Sequence, residues 1–289
     1  MKKPFALAVM LAAILMTACQ NDLYVADGLS VNSTTKQFNF TVKGSFTDKW
    51  QPVTRGSLAA DGQELTDLWI LDYQNGALVQ QLHQTSNDAD FGTPSLNLTL
   101  GNHHVYFIAS NGTTPTLSTP KHIITWEKVG DTFYKDLVLT VEASANSNRT
   151  VTLDRSVTKL NLTILDAIKE GTSTFIIMPH VWYYGIDYFT GRPTSQQTDQ
   201  PIFVECPSSN IGLTDREISV FGFSSTTEWT NNITLYATDG TFVIAQADIN
   251  NAPFKRNRAT AYSGALFGTE GTMSLTVNDT WDDSETGTW

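Results

Sequence analysis

The sequence predicts an all-β protein, two antiparallel β-sandwiches in tandem behind a lipoprotein-type signal peptide. Three observations predict it. Apolar and polar residues alternate at period two in segment after segment, and no segment sustains an apolar stripe at helical spacing. Asn-Gly and Asp-Gly pairs separate several of these segments, as hairpin turns require. The first apolar run is short, follows two lysines and ends at a cysteine.

The N-terminus carries that last signal. Lys2 and Lys3 precede the apolar run 5–16, FALAVMLAAILM. The run is too short for a bilayer span, which needs about 20 residues. Thr17 and Ala18 then lead to Cys19, one of two cysteines in the 289-residue chain. The arrangement resembles a bacterial lipobox, in which cleavage frees the cysteine and its thiol is acylated. The plainer reading is an ordinary signal peptide with an incidental cysteine. Acyl chains such as palmitate contribute ~0.8 kcal/mol per buried methylene, so several of them anchor a folded domain durably. Gln20 follows Cys19, where an Asp would favour retention in the inner membrane, so the outer membrane is the expected address. Residues 1–18 are thus read as signal peptide, and the polar stretch 19–35 as a lipidated tether.

Cleavage before Cys19 would remove 18 residues and leave 271, enough for one large or two medium domains. It would lower the basic count from 18 to 16 against 29 acids, a net charge of −13. Such a surface repels nucleic acid and anionic lipid. Acylation of Cys19 would leave Cys206 without a partner in the chain, which excludes a disulfide framework. Cys206 sits in PIFVECPSS among apolar neighbours and reads as a buried small hydrophobe.

The strands follow in order. In 37–43, QFNFTVK, residues Phe38, Phe40 and Val42 share one face and Gln37, Asn39, Thr41 and Lys43 the other. LTDLWILDY (65–73) is apolar almost throughout and reads as a central strand. Asn75-Gly76 then predicts a hairpin into ALVQQL (77–82). HHVYFIA (103–109) is a further strand, in which His103 and His104 must face opposite ways. KLNLTI (159–164) and TMSLTV (272–277) alternate like the first strand. Asp239-Gly240 separates ITLYA (233–237) from TFVIA (241–245). DAIKEG (166–171) could make one helical turn at most. The low-order stretch 142–150 precedes VTLDRSVTKLNLTI (151–164), which reads as the last strand of one sandwich feeding the first of the next. The division is therefore 36–155 and 156–289, with one large sandwich as the alternative.

No chemistry-bearing constellation stands out. None of the five histidines has zinc spacing, so no metal site is expected. Asp88 and Asp90 in TSNDADFG (85–92) lack the Gly and distal Glu of a calcium loop and read as an acidic turn. No nucleophile elbow or phosphate loop occurs, and no cofactor or catalytic residue is assigned. The most aromatic stretch is HVWYYGIDYFTGRP (180–193). Its rings, Trp182 among them, either pack in core and loops or stack on sugars or a partner protein.

The lipobox at Cys19, strand 37–43 read as edge-like, QPVTRGSLAA (51–60), the run 64–79, HHVYFIASNG (103–112) and the junction 151–164 together resemble the fimbrillin family, the lipoprotein-derived subunits of type V pili. The resemblance covers most of the mature chain, and its motifs are loose apart from the lipobox. It implies two tandem transthyretin-like sandwiches and a non-enzymatic role as a stalk, tip or anchor subunit of an adhesive surface fimbrium. It implies other pilus subunits as head-to-tail partners, the outer membrane through the lipid, and a host or bacterial surface ligand. Assembly would proceed by strand exchange, with a donor strand filling an open groove. Phe38, Phe40 and Val42 mark the strand that would leave. If the C-terminus supplies the donor, Met273, Leu275 and Val277 are its pocket residues, since 279–289 holds four acids. The position matching the family's proteolytic cut is Arg55, before Gly56; its plainer reading is a solvated loop arginine. The alternative function is a surface glycan-binding lipoprotein, and an unassigned hydrolase is a third class without a positive feature.

Overall fold

The computed structural model describes residues 35–44, 58–60, 63–268 and 273–278. Among them the chain is all-β: strands dominate, no α-helix forms, and Thr119–Lys121 and Ser208–Asn210 make short 3-10 turns. DAIKEG is irregular, and the Asp166 carboxylate pins it by accepting bonds from the Leu266 and Phe267 amides.

The first half contributes β1 (Lys36–Gly44), β2 (Leu58–Ala60), β3 (Gln63–Leu65), β4 (Asp67–Gln74), β5 (Ala77–Thr85), β6 (Ser95–Leu98), β7 (Gly101–Ser110), β8 (Thr116–Ser118), β9 (Ile123–Thr125), β10 (Thr132–Val141) and β11 (Asn148–Arg155). Seven strands are ordered β5-β4-β7-β10-β11-β1-β6. β11 changes partner along its length. Its residues up to Leu153 pair with β1, and Asp154 and Arg155 pair with Tyr134 and Phe133 of β10. Both limbs line one apolar core: Phe38, Phe40, Val42 and Val151 from one, and Ile70 and Phe107 from the other.

β4 is buried on both faces, which explains its continuous apolar run. Leu68 and Ile70 join the first core, while Trp69, Leu71 and Tyr73 face a separate cluster. Asn75 and Gly76 turn the chain into β5 with φ of 51° and 78°, the left-handed pair the hairpin needs. At Asp239-Gly240 the hairpin is wider than the sequence suggests. β18 (Trp229–Thr238) and β19 (Val243–Phe254) are joined by a four-residue loop, 239–242, whose Asp239 carboxylate accepts the Thr241 and Phe242 amides.

The second half adds β12 (Val157–Ile164), β13 (Thr174–Pro179), β14 (Val181–Asp187), β15 (Arg192–Thr198), β16 (Ile202–Glu205), β17 (Arg216–Phe223), β20 (Ala259–Gly264) and β21 (Met273–Asn278). Sheets β17-β12-β20-β21 and β16-β13-β18-β19 share a core that includes Leu160, Leu162, Phe175, Ile177, Leu235 and Ile249.

The two halves repeat a device. β1, the first strand described, lies between antiparallel β6 and parallel β11. β12, the first strand of the second half, lies between antiparallel β17 and parallel β20. β1 therefore is not the edge its pattern suggests: its polar face is solvent-exposed, but both its backbone edges are paired.

A further sheet, β15-β14-β9-β8, draws two strands from each half. Beside it lies the apolar cluster that Trp69, Tyr73 and Tyr106 of the first half form with Val157, Tyr188 and Phe223 of the second.

Candidate functional site

β1 is seated by side chains and backbone together. Phe38, Phe40 and Val42 are at most 1% exposed, and Phe40 meets Phe107 edge to face at 5.3 Å. Arg149 lies over the Phe38 ring at 5.6 Å. On the outer face Asn39 bonds to Asn148 at 3.2 Å and Ser95 at 2.8 Å, tying β1 to both neighbours. Withdrawal of β1 would expose an apolar trough and leave the ladder edges of β6 and β11 unpaired. A replacement strand that restores both ladders in their present sense runs parallel to β11 and presents alternate apolar residues.

The second predicted exchange element, β21, ends its sheet and pairs only with β20 among the described residues. Met273, Leu275 and Val277 are in register with Gly264, Tyr262 and Thr260. Cys19, Arg55 and Gly56 lie outside the described residues.

The histidines do not converge. Among the described residues no three His, Cys, Asp or Glu side chains are placed to hold a metal. His103 is buried and His104 exposed, on opposite faces of β7 as alternation requires. His103 Nδ1 meets the Asp72 carboxylate at 2.8 Å, and its Nε2 meets the Thr99 carbonyl at 3.0 Å. Burial pushes the Asp72 carboxyl above the usual carboxylate range, against the pull of His103. Cys206 is buried and free, and burial raises its thiol.

The aromatic stretch 180–193 packs inward for the most part. Trp182 is 2% exposed, and its indole N–H donates to the Phe221 carbonyl at 3.0 Å, so it offers no face to a sugar. Tyr188 is wholly buried, and its hydroxyl meets that of Tyr73 at 2.8 Å. Phe189 stacks on His122 with ring centres 3.6 Å apart.

The shared sheet holds a cleft that sequence reading missed. Its volume is about 530 Å³, and its lining includes Trp126, Tyr184, Ser195 and Gln197. Two close approaches shape it. The Trp126 amide donates to the Tyr184 carbonyl at 2.9 Å, extending the β9–β14 ladder. A Cβ at Gly185 would lie 2.7 Å from the Ile124 carbonyl and 3.0 Å from the Ser195 hydroxyl, so only glycine admits both strands there. On the other side, Tyr183 pairs with Gln196 and Gly185 with Thr194, but the ladder skips Tyr184 and Ser195 between them. Ser195 has φ of 55°, in the left-handed region.

A family profile matches residues 101–288, which is 188 of the 289 residues. The chain belongs to DUF6562, a family of unknown function. The DUF6562 match runs from β7 through β21 and so includes the shared sheet and its cleft. No curated protein matches the chain. Among solved structures, a candidate adhesin from Bacteroides ovatus aligns over 86% of this chain and 96% of its own, at 10% identity and a TM-score of 0.53. A candidate polysaccharide-binding protein from Bacteroides thetaiotaomicron aligns over 84% of this chain and 97% of its own, at 8% identity and TM-score 0.52. A candidate cell adhesion protein from Bacteroides uniformis aligns over 86% and 99%, at 13% identity and TM-score 0.50. At these identities the likeness is one of fold.

Proposed function

We propose that this DUF6562 protein is a non-catalytic structural subunit of an adhesive surface fimbrium, exported, lipidated at Cys19 and held at the outer membrane. The observation that carries the reading is the seat of β1. A nine-residue strand completes the first core from between two other strands, and the sequence places an arginine, Arg55, a short distance after it. Cutting there would leave β1 held without a covalent bond to the rest of the fold. A strand of a second subunit could then take its place, and head-to-tail repetition would build a fibre. Burial of Phe38, Phe40 and Val42 stabilises the seat by about 1.5–3 kcal/mol each, which favours a refilled groove over an empty one. The fold likeness to candidate adhesins supports a surface role.

The test is the N-terminus of the protein recovered from assembled fibres, read by mass spectrometry. A processed stalk subunit begins at Gly56, and Arg55→Ala accumulates as lipidated precursor. An anchor subunit retains acylated Cys19 and is indifferent to Arg55→Ala. In both cases Cys19→Ala abolishes palmitate labelling of the precursor. Protein that never enters a fibre, and that stays with the outer membrane after Cys19→Ala, would sink the proposal.

A further inference from the structure

We infer that the cleft on the shared sheet is a binding site for a neutral oligosaccharide. The lining chemistry points to it. Thr116, Thr125, Ser195, Gln197 and Gln200 present hydroxyls and primary amides, groups that both donate and accept. Sugar hydroxyls have the same dual character. The cleft has no lysine or arginine, and Glu127 is its one charged residue. A phosphate, sulfate or carboxylate would find no counter-charge there, on a chain whose net charge is already −11. Half-buried Tyr184 adds aromatic surface for the apolar side of a sugar ring, while Trp126, 3% exposed, only backs the wall. About 530 Å³ falls within the range of small-ligand sites and suits a short segment of a chain.

The backbone at the cleft has the character of a built site. A serine in the left-handed region is strained by about 1–2 kcal/mol. It stands where the β14–β15 ladder skips a pair, with both skipped residues, Tyr184 and Ser195, lining the cleft. Strain of this kind concentrates at ligand sites, where the surrounding structure over-determines it. The walls come from β8 and β9 of one half and from β14, β15 and the segment after β15 of the other, so the site exists only where the halves are joined. It also replaces Trp182, which is buried, with Tyr184 as the sugar-facing ring of the stretch 180–193. The inference stands on the cleft's own chemistry, whether or not the chain enters a fibre.

The test uses the full mature chain on an array of neutral glucans, mannans, xylans and galactans, with sialylated and sulfated glycans as acidic probes. Calorimetric titration of the best neutral probe follows. Binding is expected among the neutral probes. Gln197→Ala with Gln200→Ala should weaken it about tenfold or more, each lost hydrogen bond counting for a factor of several. Both glutamines are exposed, so this double variant keeps its fold, whereas Tyr184→Ala also disturbs packing. Phe203→Ala, at an exposed position of β16 outside the cleft lining, should bind like the parent. No retained neutral glycan, a preference for acidic probes, or parental affinity in the glutamine double variant would each overturn the inference.

Discussion

Arg155 holds Asp131 through two parallel hydrogen bonds, Nε to Oδ1 at 2.8 Å and Nη2 to Oδ2 at 2.9 Å, with both side chains almost wholly buried. The pair sits where the chain passes from β11 to β12. Arg155 also lies over the Phe133 ring at 4.9 Å and donates from Nη1 to Asn257 of the second half at 3.3 Å. Asp131→Ala would strand a buried guanidinium and should destabilise the protein by about 3–5 kcal/mol, read as a lower denaturant midpoint. Arg155→Met with Asp131→Leu removes both charges and should cost distinctly less. Equal losses from the two variants would show that the pair's charge is not what matters.

The seat of β1 predicts complementation by a peptide. A chain beginning at Gly56 lacks β1 and should be marginal, since three buried apolar side chains worth about 1.5–3 kcal/mol each are lost. A peptide of residues 36–44, KQFNFTVKG, should raise its melting temperature further with each tenfold increase in concentration, following the logarithm of the peptide concentration. The same peptide with Phe40→Asp should not. A Gly56 chain as stable as the parent, and unmoved by peptide, would show that β1 is dispensable.

Asp72 predicts a pH dependence. Burial raises its folded carboxyl above the ordinary value of 3.8, so between that value and the raised one the folded state holds more proton than the unfolded state. Stability from this group is therefore largest below the unfolded value and is lost as pH rises through the folded one. Asp72→Asn removes the titration while keeping an acceptor for His103 Nδ1. Denaturant unfolding of parent and variant should diverge as pH rises through that window, with the parent losing ground. Parallel curves would contradict it.

The division at residue 155 predicts that residues 157–289 fold alone around Leu160, Leu162 and Ile164. The fragment would expose Val157, Tyr188 and Phe223 and leave β14 without β9. Dispersed amide signals together with strong binding of a hydrophobic dye are expected. Collapsed signals would favour one continuous unit.

Alternation made β1 and β12 legible, because half-buried strands write their two faces into the sequence. The continuous run of β4 was legible as a central strand, though its burial on both faces was not. The shared sheet left no comparable trace. β8 and β9 are three residues each, too short to show a period, and β9 pairs with β14 some sixty positions away. Composition could mark 180–193 as aromatic but could not tell buried Trp182 from cleft-lining Tyr184, two positions on. Such a distinction is made by strand direction and neighbours, which only the folded backbone supplies. The seat of β1 escaped for the same reason: an alternating strand reads alike whether it ends a sheet or lies within one.

The shared sheet also bears on how a pull would travel through the molecule. β11 and β12 are separated by Ser156 alone, and a one-residue link by itself would act as a swivel. Here Ser156 is buried, with its amide on the Thr132 carbonyl and its own carbonyl taken by the Ser224 amide. The β9–β14 ladder closes a second path between the halves. Tension entering at β1 therefore divides between a covalent route and a row of hydrogen bonds, and rotation about the link must first tear that row. The joint is braced like a truss, stiff until it yields.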